Sequence, residues 1–107
     1  MYLNKTFNAN MTVKDMALEE RPREKMLVQG EKSLSNAELL AIILRTGTKQ
    51  KNAIDLANCI INKDSQGIRY LQDITIEQLC EIDGVGLTKA TMIKAALELG
   101  KRVSSFK

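Results

Sequence analysis

The chain has 107 residues, 44% of them hydrophobic, which suffices for one domain with a modest core. It has no histidine and only two cysteines, Cys59 and Cys80, and this excludes a zinc site of imidazole and thiolate ligands. We expect neither a metal nor a cofactor. Since the sequence shows no secretory signal and no apolar run of membrane-spanning length, we also expect a cytoplasmic protein with reduced thiols and no membrane partner.

The net charge of +3 is too small to indicate an anionic partner by itself, but its distribution is uneven. Residues 84–107 carry five Lys or Arg against one Asp or Glu, whereas residues 31–83 carry six against eight. The positive excess therefore lies in the last quarter of the chain.

The first thirty residues predict one short helix. Residues 1–10 lack a hydrophobic period and contain three Asn, so we expect a flexible N-terminal extension there. Pro22 suits a first helical position and Gly30 a helix stop, which predicts a helix over Pro22–Gln29. The basic cluster of Arg21, Arg23 and Lys25 is balanced by neighbouring Glu residues and favours a solvated helix face.

The next two helices are predicted from capping and periodicity. Ser35 and Glu38 have capping-box spacing, Leu34 and Leu39 have hydrophobic-staple spacing, and the helix is expected to end near Gly47 in a left-handed turn. A second amphipathic helix is predicted over residues 52–62, followed by a loop at 63–67 and a weak helical turn at 68–71. This second helix is expected to bury Ala53, Ile54, Ala57, Ile60 and Ile61.

The start signal recurs forty residues later at Thr75 and Gln78, with Ile74 and Leu79 in staple spacing. One interpretation is an internal repeat of two related helix-turn-helix units around a pseudo-two-fold axis. The other is that any two capped helices look alike. Either way, the pattern predicts an all-α fold, a small bundle of about five helices.

The segment LCEIDGVGLTKA, from Leu79 onward, predicts a helix, a tight turn and a second helix. Gly84 is expected to take a positive φ, Gly86 to allow close backbone approach, and Val85 to pack between the helices. The amides from about Leu87 to Ala90 would then lack intrahelical partners and attract an anion.

Lys89 lies in the first turn of that second helix, where the helix dipole disfavours a cation, so a visiting phosphate would explain it. The alternative is that Lys89 extends into water. The predicted phosphate-binding and DNA-binding residues are Gly84, Val85, Gly86, Thr88, Lys89 and Lys94.

Further along this helix two interpretations remain open. Lys94, Lys101 and Arg102 could follow a nucleic-acid backbone, or Glu98 could pair with Lys94 and Arg102 on the helix surface. No aromatic residue lies near the turn, so we expect recognition of backbone phosphates rather than stacking on bases. Glu77 and Glu81 share a face but have no partners for chemistry, and they are expected to be solvated.

Three ordered motifs together resemble the N-terminal domain of the bacterial RadC family. They are RPREK from Arg21, LSNAELLAIILRTGT from Leu34, and LCEIDGVGLTKA…AALELGKR from Leu79. The resemblance covers the chain from about Met11 and implies a helix-hairpin-helix, followed in full-length members by a C-terminal metal-binding domain of the JAB/MPN metallopeptidase-like class. The chain would then be a fragment, with the extension at 1–10, a helical domain at 11–103 and the start of a linker at 104–107.

The family pattern carries over onto Gly84, Gly86, Lys89 and Ala90, while Leu87 replaces a proline that is frequent in such hairpins. The TGTK segment also resembles the family, and if the repeat is real it implies a second phosphate contact at Arg45, Gly47, Lys49 and Lys51. The expected function is sequence-independent DNA binding. The alternative is a regulatory or protein-interaction domain that docks on the C-terminal metal domain or on a partner. An enzyme is not expected.

Overall fold

The computed structural model describes residues 21–106, and between them it contains five α-helices, two 3₁₀ segments and no β-strand. The helices are α1 (Pro22–Gln29), α2 (Asn36–Leu44), α3 (Ala53–Ile61), α4 (Ile76–Cys80) and α5 (Leu87–Ser105). The 3₁₀ segments are Glu31–Ser33 and Gly67–Asp73. The all-α class agrees with the prediction, and the expected extension at residues 1–10 lies outside the described residues.

The chain divides into two compact units, Met1–Asn58 and Cys59–Lys107, with the boundary inside α3. In the first unit α1 packs against α2, and in the second α4 packs against α5. Buried apolar side chains of the first unit are Leu34, Ala37, Leu40, Ala41, Leu44, Ala53, Leu56 and Ala57. Those of the second unit are Ile60, Leu71, Ile74, Leu79, Ile82, Val85, Ala90 and Ile93.

Helix α1 has the predicted bounds. Pro22 stands at its first position, and Gly30 ends it with φ of 90°. The ammonium of Lys25 lies 3.2 Å from both carboxylate oxygens of Glu38 on α2. This half-buried ion pair joins the two helices. Lys25 is therefore not simply part of a solvated helix face, as the sequence had suggested.

Both capping boxes are confirmed. At α2 the Ser35 hydroxyl accepts from the Glu38 amide at 3.1 Å, and the Glu38 carboxylate accepts from the Ser35 amide at 2.8 Å. Thr75 and Gln78 exchange the same two bonds at 3.0 and 2.9 Å and start α4. How the two capped helices are related remains a prediction.

The end of α2 corrects one expectation. The helix stops at Leu44, and the residue with positive φ is Arg45, with φ of 70° and ψ of −47°. Gly47 does not have a positive φ. It is required instead by space, because a Cβ atom there would lie 2.1 Å from the Lys51 carbonyl oxygen.

Helix α3 begins one residue later than predicted, because Asn52 caps it through a 2.8 Å bond from the Asp55 amide to Oδ1. Ala53, Ala57 and Ile60 are buried as expected, whereas Ile54 and Ile61 are only half-buried. Leu56 is fully buried and was missed by the periodicity.

In the second unit, the Tyr70 hydroxyl donates to the Ile60 carbonyl oxygen. Burial and the nearby charge of Asp64 raise the pKa of this phenol. Helix α5 continues to Ser105, so the first two residues of the expected linker at 104–107 are helical. None of the helices described between residues 21 and 106 is long and apolar enough to cross a membrane.

Candidate nucleic-acid interface

The α4–α5 turn, residues 81–86, positions the start of α5, the longest helix described between residues 21 and 106. Gly84 has φ of 95°, which an L side chain rarely adopts, as its sequence position predicted. Val85 is only 4% exposed, and its amide donates to the Ile82 carbonyl at 3.0 Å. The valine thus anchors the turn and has no accessible surface for a ligand.

The first turn of α5 has no side-chain cap. Gly86 is the N-cap residue, and the first helical hydrogen bond runs from the Ala90 amide to the Gly86 carbonyl at 2.9 Å. The Ala90 amide is therefore already bonded, and it is not one of the amides that could bind an anion. The Leu87 and Thr88 amides donate no hydrogen bond to any acceptor among residues 21–106.

Gly86 corrects a second expectation. Apart from Gly86 itself and the two residues next to it in sequence, no heavy atom would lie within 4 Å of a Cβ atom built at this position. Its φ of −96° is available to any L residue. Close backbone approach within the chain therefore does not require the glycine, and the space beside it is open.

The polar side chains at this end differ in exposure. Thr88 is exposed, and its carbonyl accepts from the Thr91 hydroxyl at 2.9 Å. Lys89 is half-buried at the third helical position and already has an interaction within the molecule. The turn and the first turn of α5 thus bring Gly84, Gly86, Thr88 and Lys89 into one region.

Lys94 makes a contact that the sequence did not predict. Its ammonium donates to the backbone carbonyl of Ile74 at 2.7 Å, which ties α5 to the residue before the α4 cap. Lys94 and Lys101 line one groove of about 490 Å³, together with the carboxylates of Asp73 and Glu98. The two charges of each sign offset one another, so this groove does not favour an anion.

Glu98 forms one of the two ion pairs that its spacing allowed. Its carboxylate accepts from Arg102 Nε at 2.9 Å, and the pKa of Glu98 is lowered chiefly by this hydrogen bond. Glu98 therefore pairs with Arg102, while Lys94 bonds to a backbone carbonyl.

The predicted second phosphate contact forms a compact loop in the first unit. The Thr48 amide donates to the Lys51 carbonyl at 2.7 Å, and the Thr48 hydroxyl accepts from the Gln50 and Lys51 amides at 3.2 and 3.1 Å. Arg45 and Lys49 are exposed beside it, and Lys51 is half-buried.

The sequence did not predict that Arg45 lies near two other arginines. This residue lines one cleft together with Arg21 and Arg23 from the start of α1. The helix pattern gave no signal for it, because the two segments meet only through the packing of α1 on α2.

No metal-binding cluster is found in the part of the chain that the structure describes. Glu77 and Glu81 are both exposed. Between residues 21 and 106, no three His, Cys, Asp or Glu side chains are grouped so that they could hold a metal ion.

Comparison with known proteins shows one family. The model of the UPF0758 N-terminal family matches residues 13–91. A UPF0758 protein of Clostridioides difficile is 72% identical over 107 residues, which are all of this chain and 46% of the relative. A UPF0758 protein of Alkaliphilus oremlandii is 61% identical over 94 residues, or 88% of this chain and 40% of the relative.

These relatives agree with the resemblance to RadC-like proteins at the level of the family. The chain spans less than half the length of either relative. No solved structure matches this chain. Because the family model covers most of the sequence, the chain belongs to the UPF0758 N-terminal family.

Proposed function

We propose that this domain binds DNA through backbone phosphates, without reading sequence, as the N-terminal module of a RadC-like protein. The binding element is a helix-hairpin-helix formed by α4, the α4–α5 turn and α5. A phosphate oxygen accepts hydrogen bonds from the first amides of α5, and the charge of Lys89 stabilises it.

The observation that carries this proposal is the uncapped start of α5. Ser35, Asn52 and Thr75 cap the starts of α2, α3 and α4 with side-chain oxygens, whereas Gly86 has no side chain to offer. The Leu87 and Thr88 amides therefore remain available to an external acceptor, with open space beside Gly86. A helix of nineteen residues adds its dipole to these amides.

The surroundings favour phosphates over bases. Residues 84–107 carry an excess of four positive charges. The aromatic residue of α5's C-terminal cap, Phe106, stands at the far end of the helix, about 28 Å from its start at 1.5 Å per residue. A base held at the α4–α5 turn would have no ring from this helix to stack on.

Lys94 has a secondary role in this proposal. Its ammonium already donates to the Ile74 carbonyl, so its charge acts on a phosphate mainly by position. We expect Lys89 to contribute more to binding than Lys94, because Lys89 lies in the first turn of α5 beside the Leu87 and Thr88 amides.

The test is fluorescence anisotropy of a labelled DNA duplex titrated with the protein at two chloride concentrations. Three phosphate contacts predict a log-log salt slope near −2.7, a loss of roughly 40-fold between about 50 and 200 mM salt. Lys89→Glu should abolish most of the binding. Lys63→Glu is the matched control, because it reverses one exposed lysine in the loop before the Gly67–Asp73 segment.

Two results would overturn the proposal. One is the absence of wild-type binding at the lower salt concentration. The other is equal binding by Lys89→Glu and Lys63→Glu, which would mean that only net charge matters. In either case the hairpin would be a scaffold, and docking on a partner domain would become the leading hypothesis.

The relatives are more than twice as long as this chain, so the activity of a full-length protein is a separate matter. From the RadC resemblance, we propose that a C-terminal metal-binding domain follows in the complete protein. The DNA-binding domain would then hold that second domain close to nucleic acid.

A further inference from the structure

A cleft of about 540 Å³ lies in the first unit, between the start of α1 and the end of α2. Three arginines line it, Arg21, Arg23 and Arg45, against the single carboxylate of Glu24. Aliphatic surface comes from Pro22, Ala41 and Ile42. The cleft thus combines forked cationic donors with an apolar wall.

The backbone of Arg45 is strained. The Thr46 amide donates to the Leu44 carbonyl at 2.8 Å, which closes a three-residue γ-turn around Arg45 at φ of 70° and ψ of −47°. Such a conformation costs about 1–3 kcal/mol for a residue with a side chain. Folding alone would favour glycine here, so the arginine is better explained by a ligand than by stability.

The guanidinium groups of Arg23 and Arg45 have no carboxylate partner among residues 21–106. Both side chains are exposed at the cleft. By contrast, Lys25, two residues after Arg23, is occupied by Glu38. Of the arginines that line the cleft, Arg23 and Arg45 are therefore the ones left for an external anion.

We propose that this cleft binds a phosphate monoester with an apolar or aromatic body, such as a nucleoside 5′-monophosphate. Arg23 and Arg45 supply about two positive charges that no carboxylate among residues 21–106 offsets. Two positive charges match a phosphate monoester, with a charge of about −1.5 to −2, better than they match a ligand with one carboxylate. Guanidinium forks also suit phosphate oxygens geometrically. The volume falls within the range of about 300–1,000 Å³ found for small-ligand sites.

This phosphate group could belong to a free nucleotide or to the 5′ end of a nucleic-acid strand. Either source presents the same dianionic group and the same adjoining sugar and base. The site lies in the first unit, and the proposal does not depend on DNA binding at the α4–α5 turn.

The test is isothermal titration of the protein with adenosine 5′-monophosphate, adenosine and inorganic phosphate. The monophosphate should bind about tenfold or more tightly than adenosine, because it adds charge-assisted hydrogen bonds. It should also bind more tightly than inorganic phosphate, which lacks the apolar body. Equal affinity for adenosine and its monophosphate would overturn the proposal.

Variants locate the site. Arg23→Gln and Arg45→Gly should each weaken binding of the monophosphate about tenfold. Arg45→Gly should also raise the melting temperature, because glycine relieves the positive φ, so a loss of binding cannot be ascribed to unfolding. Arg45→Lys keeps the charge but loses the fork, and it should give an intermediate affinity.

Two controls separate this site from the α4–α5 turn and from net charge. Arg69→Gln removes an exposed arginine of the second unit and should leave binding unchanged. Lys89→Glu should likewise retain binding of the monophosphate. If either control weakens binding as much as Arg45→Gly, the cleft is not the site and the proposal fails.

A last comparison identifies the source. Single-stranded oligonucleotides with and without a 5′-phosphate are titrated into Lys89→Glu, so that the α4–α5 turn does not contribute. A gain of about tenfold from the 5′-phosphate would identify a strand end as the ligand. No gain, with the monophosphate still bound, would identify a free nucleotide.

Discussion

Two glycines of this chain, Gly47 and Gly86, have opposite surroundings. At Gly47 an added Cβ would meet the Lys51 carbonyl at 2.1 Å, whereas at Gly86 it would meet nothing within 4 Å. The sequence suggested the reverse, with a left-handed turn at Gly47 and a close approach at Gly86. A sequence shows where glycine occurs, but the contacts of an absent Cβ depend on segments brought together by folding.

This contrast gives a prediction on stability. Gly47→Ala should lower the free energy of unfolding by about 1–3 kcal/mol, because the loop must shift to admit the methyl group. Gly86→Ala should change it by less than about 0.5 kcal/mol, since the lower entropy of the unfolded chain is offset by the poor N-cap alanine makes. Urea denaturation of both variants measures the difference. Similar losses in both would contradict the described geometry.

Glu38 makes the stability of the first unit depend on pH. Burial acts to raise the pKa of Glu38. The hydrogen bonds from Ser35, together with the hydrogen bond and positive charge of Lys25, outweigh burial and hold the pKa below its ordinary value of 4.5. A carboxyl whose pKa is depressed on folding stabilises the native state above the unfolded-state pKa. This contribution is lost as the pH falls through the folded-state pKa.

We therefore expect wild-type stability to fall as the pH is lowered from about 6 to about 3, and Glu38→Gln to lose about 0.5–1 kcal/mol less over that interval. Glutamine can keep the capping box, so the variant should still fold. Thermal melts across the pH series measure the effect. Parallel curves for the two proteins would show that Glu38 does not carry this dependence.

At the scale of elements, the starts of helices were predicted better than their ends. Ser35 and Thr75 cap α2 and α4 through side chains three residues from their partners, so the signal is local. The end of α2 depends on a γ-turn at Arg45, which no local rule assigns to an arginine. Packing sets the strained backbone at this helix end, so the sequence pattern does not predict it.

Helix α5 also contains a residue with a structural contact that the sequence did not predict. The ammonium of Lys94, which we expected to contact phosphate, donates to the Ile74 carbonyl and fixes the helix there. Replacing Lys94 with Met should lower the free energy of unfolding by about 1 kcal/mol, because the half-buried carbonyl loses its donor. Lys101→Met, on an exposed position of the same helix, should change it by less than about 0.5 kcal/mol. Chemical denaturation distinguishes the two, and equal effects would argue against a structural role for Lys94.

For the whole described chain, burial varies strongly along the sequence. Leu56, Ala57 and Ile60 are fully buried, whereas every residue from 98 to 106 is exposed. The C-terminal part of α5 is therefore held by its own hydrogen bonds and by the pair of Glu98 with Arg102.

Hydrogen exchange should follow this pattern. Amides of α3 should be protected by nearly the full free energy of unfolding, and those near residues 100–105 should exchange much faster, because local fraying of an exposed helix end costs little. Exchange measured by mass spectrometry on peptides from the two regions tests this. Equal protection would mean that the end of α5 is stabilised by contacts beyond those of residues 21–106.

The candidate sites differ in how far sequence could reach them. The α4–α5 turn is contiguous, so its glycines, Val85 and Lys89 could be identified from one short motif. The arginine-lined cleft brings together Arg23 at the start of α1 and Arg45 at the end of α2. The sequence did not indicate this cleft, because the basic residues around Arg23 alternate with acidic ones. Charges brought together by packing can be found only once the fold is known.

The open space at Gly86 bears on how this sequence can vary. Folding requires glycine at Gly84, because of its φ of 95°, and an apolar side chain at Val85, because it is buried. It makes no such demand at Gly86, where serine would even supply the missing cap. If natural selection nevertheless keeps glycine at this position across relatives, the constraint must come from whatever approaches the start of α5 from outside.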